Sequence, residues 1–418
     1  YSTLLIRGNG APIGRFGGTA SGPEILCSGI SDIHNILNNR ALKKLRPIDC
    51  LDIMNIIGSI VVAGNVRRSA QIAIGDPDDI EFLKAKRWDL GSIPNWRAMS
   101  NNSVACNKLE ELAPEFWQTY QQGEPYGLIN IPLAKKVGRL NETQYPDPEV
   151  EGFNPCAEQS LADKETCCLA DVFLPNINSK EELFKVVTYL YRICKHSLRL
   201  PCHLKETETI VHKNMRMGIG MTGLRQATEE QISWLSSCYT YLREYDEKYS
   251  KEHNWPISIK ITTVKPSGTL SLLPGVTPGG HSSPAGPYYI RRVRMSSSSP
   301  LIQVCRDHGY FVEFERRFDG TNNPNTVVVE FPDRVPEHTP AGGNESAISQ
   351  LEFVKKLQTV WSDNSVSVTV YYKKEELEEI REWLLDNYVD NVKTVSFLLY
   401  QGHGFDQAPY ETISKERY

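Results

Sequence analysis

Hydrophobic positions along the chain alternate between helical and strand periods. After Arg46 and Pro47, the apolar residues Ile48, Leu51, Ile53, Met54, Ile56 and Ile57 follow helical spacing, with Pro47 near the start, where its missing N–H costs nothing. Ser179-Lys180-Glu181-Glu182 has the form of a capping box ahead of Leu183, Val186, Leu190 and Ile193, which predicts a helix over about 180–197. Val366, Val368, Val370 and Tyr372 alternate with polar residues, and from Lys373 to Tyr388 the residues Leu377, Ile380 and Leu384 recur on one helical face. That is a strand followed by a helix. Repetition of this unit predicts an α/β architecture, open or closed into a barrel, with function gathered in the loops beyond the strand ends.

A chain of 418 residues exceeds the usual single core, so two domains or one large barrel are expected. The net charge of -5 leaves no positive excess to grip a nucleic-acid backbone, and any phosphate bound is expected on a small molecule. No apolar run approaches the roughly 20 residues needed to span a bilayer, and Tyr1 to Arg7 lacks a leader's long apolar region, so a cytoplasmic protein without membrane contact is expected. The chain opens without methionine in what reads as the inside of a domain, which suggests part of a longer protein. Its ten cysteines are spread out, and Cys50, Cys194, Cys238 and Cys305 are expected as small buried hydrophobes. No Cys-x-x-Cys or His-x-x-x-His pair is present, so metal binding by side chains is not expected.

Three loop-like stretches are rich in glycine and small polar residues: Ile6 to Pro12 with Gly17 to Pro23, Ala63 to Ala70, and Thr262 to Thr269. Within the last, Lys265-Pro266-Ser267-Gly268-Thr269 offers hydroxyls and turn amides that suit an anion, though such a turn is also ordinary. Gly64-Asn65-Val66-Arg67-Arg68-Ser69 places two guanidinium groups where they could fork onto phosphate or stack on a base, or simply sit in solvent. Gly342 to Glu345 reads as a surface loop.

In Asn154-Pro155-Cys156-Ala157-Glu158 the proline biases Asn154 toward extended geometry, so the segment is expected to cross a cavity as a loop or strand end. If it is extended, Cys156 and Glu158 project to the same side. A thiol there suits a nucleophile or radical carrier, and the carboxylate suits a general base.

These motifs together resemble the ribonucleotide reductase family. Asn154 to Glu158, Cys167 eleven positions after Cys156, Ala63 to Ala70, Thr262 to Thr269, Tyr289-Ile290-Arg291-Arg292-Val293-Arg294 and Trp361-Ser362-Asp363-Asn364 occur in the family's order. The likeness is greatest to its adenosylcobalamin-dependent (class II) branch, especially the monomeric ribonucleoside-triphosphate reductases. It implies a ten-stranded α/β barrel of the ribonucleotide reductase and glycyl radical enzyme type, spanning residues 1–418 and incomplete at both ends. The catalytic cysteine stands on a central finger loop, and effector-site loops and helices lie within about residues 1–75.

By this resemblance Cys156 carries a thiyl radical that takes the ribose 3'-hydrogen, Glu158 removes the 3'-OH proton, and Asn154 hydrogen-bonds the substrate. Cys167 matches one of two reducing thiols, with the adjacent Cys168 as an alternative. The partner thiol belongs to a region not present, and neither Cys27 nor Cys106 has its motif context. The C-terminal relay cysteines are also not present. Pro266, Ser267, Gly268, Thr269 and Leu270 match the phosphate loop, and Thr19, Ala20 and Ser21 the other substrate contacts. Gly64, Asn65, Val66, Arg67, Arg68 and Ser69 match the specificity loop, through which either Arg67 or Arg68 reports the effector. The implied cofactor is adenosylcobalamin. The implied partners are a ribonucleotide substrate, a deoxynucleotide effector and thioredoxin or a similar dithiol, on a monomer or weak homodimer. Two alternatives stay open: a class I-type catalytic subunit fed by a separate radical-generating subunit, with Tyr288, Tyr289, Tyr371, Tyr372 and Tyr400 as possible carriers, or a nucleotide-binding fragment that catalyses nothing.

Overall fold

The structure, a computed structural model, describes residues 2–13, 20–63, 69–297, 299–316, 320–400 and 407–418. Its centre is a curved sheet. Strands β1 (Gln71–Gly75), β2 (Ser100–Ala105) and β3 (Gly127–Ile129) run parallel to one another. A two-stranded hairpin follows, β4 (Gly152–Phe153) and β5 (Ser160–Leu161), and then the parallel strands β6 (Leu169–Phe173), β7 (Gly218–Thr222) and β8 (Thr262–Thr263). A separate antiparallel sheet comes next, formed by β9 (Tyr288–Ser296), β10 (Val312–Arg316), β11 (Asn322–Arg334) and, near the chain's end, β14 (Tyr410–Thr412). Strands β12 (Thr369–Tyr372) and β13 (Thr394–Leu399) complete the central layer.

The α/β barrel reading holds. Strand order is β1-β2-β3-β13-β12, and a parallel bridge between Val366 and Val264 continues it into β8-β7-β6. Two parallel half-barrels therefore meet at one antiparallel seam, where Thr394 pairs with Ile129 and Val395 with Leu128. Among the described residues eight strands take part instead of the ten expected, so the sheet is an arc with β1 and β6 at its edges.

Helices cover the outside for the reason the periodicity gave. Lys180–Ser197, Glu229–His253 and Ala347–Val360 bury Leu183, Val187, Leu235, Leu242 and Leu357 against β6 to β8, while Leu377–Asn391 buries Ile380 and Leu384 beside β12 and β13. The helix Pro47–Val62 begins at its proline as expected. Its Asp52 accepts both Nε and Nη2 of Arg97, at 2.6 and 2.7 Å, which ties it to the barrel.

Some details differ from expectation. Ser179 caps Glu182 N, but Glu182 turns its carboxylate to the backbone and side-chain nitrogens of Asn178, so the box is only half formed. Cys194 and Cys238 are buried, whereas Cys50 is exposed on the wall of a cavity beside β1 and Cys305 is half-buried.

A layer of buried charge underlies the hairpin. Arg216 donates from Nη2 to Asp147 at 2.9 Å, from Nε to Glu165 at 2.9 Å and from Nη1 to Ser160 at 3.0 Å, with a further bond from Nη1 to Asp147. One guanidinium thus fastens the residues on either side of β4 and β5. Lys393 Nζ sits among the carbonyls of Val137, Gly138, Asp363 and Asn364 at 2.6–3.1 Å. Removing one member of such a set strands the others as uncompensated charge. Arg216→Met is expected to destabilise the fold by about 3–5 kcal/mol in chemical denaturation; a loss below about 1 kcal/mol would show that the hairpin does not depend on it.

Candidate functional site

The hairpin between β4 and β5 rises into the barrel, and its tip is Asn154 to Gln159. The segment is not extended as the proline had implied. Pairing of Gly152 with Leu161 and Phe153 with Ser160 leaves six residues to reverse direction, so the tip closes in a turn with Ala157 N bonded to Asn154 O at 2.8 Å. Ala157 takes φ 61°, a left-handed backbone that costs a non-glycine residue about 1–2 kcal/mol. Cys156 and Glu158 consequently differ in setting, the thiol exposed and the carboxylate buried.

Strain of this kind persists only where the surroundings over-determine it. Here the four carbonyls from Pro155 to Glu158 are each claimed by a different part of the barrel. Pro155 O accepts from Asn101 Nδ2 at 2.8 Å, Cys156 O from Ser367 Oγ at 2.6 Å and Ala157 O from Thr394 Oγ1 at 3.3 Å. Glu158 O accepts from Thr263 Oγ1 at 2.7 Å and Ser365 N at 3.0 Å. Ser365 is itself fixed by the Trp361 to Asn364 segment: Trp361 Nε1 donates to Ile219 O and Thr263 O, and Asp363 accepts from Arg243, Ile261 N and Thr262 N. Of these anchors, Thr263 lies in the Thr262 to Thr269 stretch that stands out in the sequence and Ser365 follows the Trp361 to Asn364 motif, whereas nothing in the sequence marks Asn101, Ser367 or Thr394.

The electrostatics of the tip follow from burial. Desolvation pushes the Cys156 thiol up to about 11, with the Glu158 charge adding to the effect and Lys265 opposing it. Desolvation likewise raises Glu158 above the ordinary carboxylate range, partly offset by Asn154. One Glu158 oxygen, Oε2, is buried without a hydrogen-bond partner. Asn154 Oδ1 accepts from Gln159 N at 3.0 Å, and its side chain reaches both Glu158 and Cys167.

Cys167 is exposed at the foot of β6, and its thiol is raised by desolvation and then by Glu158, so it faces the same group as Cys156. Cys168 faces the other way, half-buried against the helix Lys180–Ser197, with Sγ 4.0 Å from Cys194 O. The two neighbours lie just ahead of β6 and turn to different surroundings. Cys106 is committed to Tyr388 in the outer core, at 3.3 Å.

Two cavities flank the tip. One, of about 360 Å³, is lined by Cys156, Ala157 and Pro266 and by the small residues Ser103, Gly127, Ser367, Thr394 and Ser396. The other, of about 750 Å³, lies toward the helix Pro47–Val62 between β1 and the foot of β6, and carries Asn154, Cys167 and Cys50. Pro155 lines both.

In the loop after β8, Ser267 is buried, while Gly268, Thr269 and Leu270 are exposed. Ser267 N and Gly268 N donate to Lys265 O and Pro266 O, so two amides expected to face an anion are engaged within the loop. Ala20 pairs with Gly10 and Ala11, and among the described residues no hydrogen bond joins Ala20 or Ser21 to the finger. Thr19 and Gly64, Asn65, Val66, Arg67 and Arg68 lie outside the described residues; Ser69 leads directly into β1.

Comparison with known proteins agrees with this arrangement. Residues 95–239 match the ribonucleotide reductase barrel domain. The chain is 37% identical to an adenosylcobalamin-dependent ribonucleoside-triphosphate reductase of Lactobacillus gasseri and 38% identical to that of Lactobacillus acidophilus, over 99% of this chain and 59% of each relative. It spans about three-fifths of the length of these relatives. Among solved structures, a B12-dependent (class II) ribonucleotide reductase superposes with a TM-score of 0.85 at 33% identity, covering 99% of this chain and 61% of that one. The class Id ribonucleotide reductase alpha subunit of Actinobacillus ureae, at 12% identity and a TM-score of 0.56 over 84% of this chain and 74% of its own, shares the fold alone. A strained cysteine-bearing hairpin inside a two-halved α/β barrel thus goes together with similarity, over nearly the whole of this chain, to adenosylcobalamin-dependent ribonucleotide reductases.

Proposed function

We propose that this chain carries the catalytic core of an enzyme that reduces ribonucleotides to 2'-deoxyribonucleotides by radical chemistry, with adenosylcobalamin as cofactor. The observation that carries this reading is the geometry of the finger: Cys156 opens onto a cavity from a rigid turn, with the buried carboxylate of Glu158 two residues on; the state of the thiol accords with it. A cysteine used as a nucleophile is held as thiolate by a nearby cation or helix terminus. The Cys156 thiol, although open to the cavity, is instead pushed up to about 11, first by partial desolvation and then by the Glu158 charge. It keeps its hydrogen at neutral pH, which suits hydrogen-atom transfer.

In this reading Cys156, as a thiyl radical, takes the 3'-hydrogen of the ribose. Glu158, whose buried Oε2 has no partner, accepts the 3'-OH proton as the 2'-hydroxyl leaves as water. Asn154 orients the sugar hydroxyls. Cys167 and a second thiol supply two electrons and end as a disulfide, which a thioredoxin-type dithiol reduces by exchange. The balance is one ribonucleotide and two thiols to one deoxyribonucleotide, water and a disulfide. Cys167 takes this part instead of Cys168 because only its thiol faces Glu158 and Asn154.

The 360 Å³ cavity fits the nucleoside part of adenosylcobalamin: Cys156 opens onto it, and Ser103, Ser367, Thr394 and Ser396 offer hydroxyls along its wall. When bound there, the cofactor supplies the radical that removes the Cys156 hydrogen atom. Kinship to relatives named for this cofactor favours it over a separate radical-generating subunit. Pro266 to Leu270 hold the substrate phosphates, with Thr19, Ala20 and Ser21 as further contacts. A deoxynucleotide effector acts through residues 64–69, next to β1. The substrate is a ribonucleoside triphosphate, and the protein works in the cytoplasm as a monomer or weak homodimer.

Anaerobic electron paramagnetic resonance tests the reading directly. Protein mixed with adenosylcobalamin, a ribonucleoside triphosphate, an effector deoxynucleotide and dithiothreitol is expected to give a thiyl signal that Cys156→Ser lacks; no signal from protein that still binds nucleotide rejects it. The protonated thiol makes a second prediction. Iodoacetamide labelling of Cys156, followed by peptide mass spectrometry, should accelerate about tenfold per pH unit between about pH 8 and pH 10, because only the thiolate reacts. A rate already level near pH 8 would mean a thiolate-stabilising site instead.

A further inference from the structure

Beside the finger, three polar side chains from one half-barrel meet. Asp171 on β6 has a side chain only 1% exposed. Its Oδ2 accepts from Lys265 Nζ at 2.9 Å and from Ser267 Oγ. Its Oδ1 is buried and has no hydrogen-bond partner. Strand β7 runs between β6 and β8, and Gly220 makes the crossing possible: a Cβ there would lie 2.6 Å from Asp171 Oδ1 and 3.1 Å from Lys265 Cγ. Any larger residue at 220 would push the pair apart.

An ion pair kept only for stability has no use for an unsatisfied carboxylate oxygen, since an orphaned buried acceptor is destabilising. The two donors it holds are also the ones an arriving anion would want, a lysine and a hydroxyl at the entrance of the 266–270 loop. The pair bears on the chemistry as well. Lys265 favours the ionised forms of Cys156 and Glu158, and Asp171 opposes it at Glu158.

We propose that Asp171 is the resident counter-anion of the 266–270 loop: it occupies Ser267 and Lys265 while the site is empty and competes with the substrate's phosphate for both, so that it limits phosphate affinity. This rests on reading that loop as the phosphate site. Ser267 Oγ then turns from Asp171 to a phosphate oxygen, and the Lys265 ammonium is shared between carboxylate and phosphate. Asp171 is a positioning residue, since it touches the donors and not the reacting atoms. Gly220 is required for the same reason.

The test is titration calorimetry of inorganic tripolyphosphate and of a ribonucleoside triphosphate against the full chain. Asp171→Asn is expected to bind tripolyphosphate about tenfold more tightly than wild type, because a competing charge and acceptor are gone. The gain should vanish in the D171N/K265Q double variant. A structural role would not produce tighter binding, so unchanged or weaker binding by a D171N protein that melts normally overturns the proposal. If D171N does not fold, Lys265→Gln alone decides: about tenfold weaker tripolyphosphate binding supports the proposal, and unchanged binding with a lowered Tm marks a merely structural ion pair. If wild type binds the nucleotide but Ser267→Ala and K265Q leave both ligands unaffected, the phosphate-loop reading itself is wrong and the proposal falls with it.

Discussion

Everything at the site depends on the backbone of four residues being held from outside. A six-residue hairpin tip has little core of its own, and Ala157 sits in a backbone region that an isolated chain would leave. Successive carbonyls of Pro155, Cys156, Ala157 and Glu158 are instead taken by Asn101, Ser367, Thr394 and Thr263. Because the anchors bind main-chain oxygens, the side chains of Cys156 and Glu158 are left free of structural duty. That is the arrangement a reacting thiol and a base need, rigid in position and unencumbered at the reacting atoms.

The same logic explains the unusual density of buried charge in the layer below. Arg216, Lys260, Lys393 and Asp363 are all fully buried, and their partners are largely carbonyls, amides and carboxylates of chain segments without regular secondary structure. Loops inside a barrel carry polar groups that cannot reach water, and a cation surrounded by carbonyls satisfies several of them at once. Long side chains rooted just ahead of β7, β8 and β13 serve as the cross-braces that a helix or sheet would otherwise supply.

Much of this was legible in the sequence, and the limits are physical. Apolar periodicity located the helices at 180 and 377, whereas the helix at 47, marked by its proline, buries Asp49, Asp52 and Asn55 and leaves Met54 and Ile57 exposed. The cysteine and glutamate stood out through spacing, and the resemblance supplied the barrel. The turn at Ala157 was not legible, because a proline's local preference says nothing of the pairing between Gly152 and Leu161 that closes the tip. Nor was the pairing of Asp171 with Lys265, which joins residues far apart in the chain across an intervening strand. The difference between Cys167 and Cys168, which lie just ahead of β6, depends on what surrounds each of them in the fold.

The seam between the half-barrels has a further meaning. It pairs only Thr394 with Ile129 and Val395 with Leu128, and among the described residues it is the one antiparallel junction in the arc. The finger's anchors lie on both sides of it: Asn101 belongs to one half, and Thr263, Ser367 and Thr394 to the other. The tip therefore works as a gauge of how the halves are aligned. A slide of one residue's rise, about 3.3 Å, is as long as the longest of these hydrogen bonds and cannot occur without releasing Pro155 from one side or Cys156 to Glu158 from the other. Alignment of the two halves and readiness of the thiol are one mechanical variable.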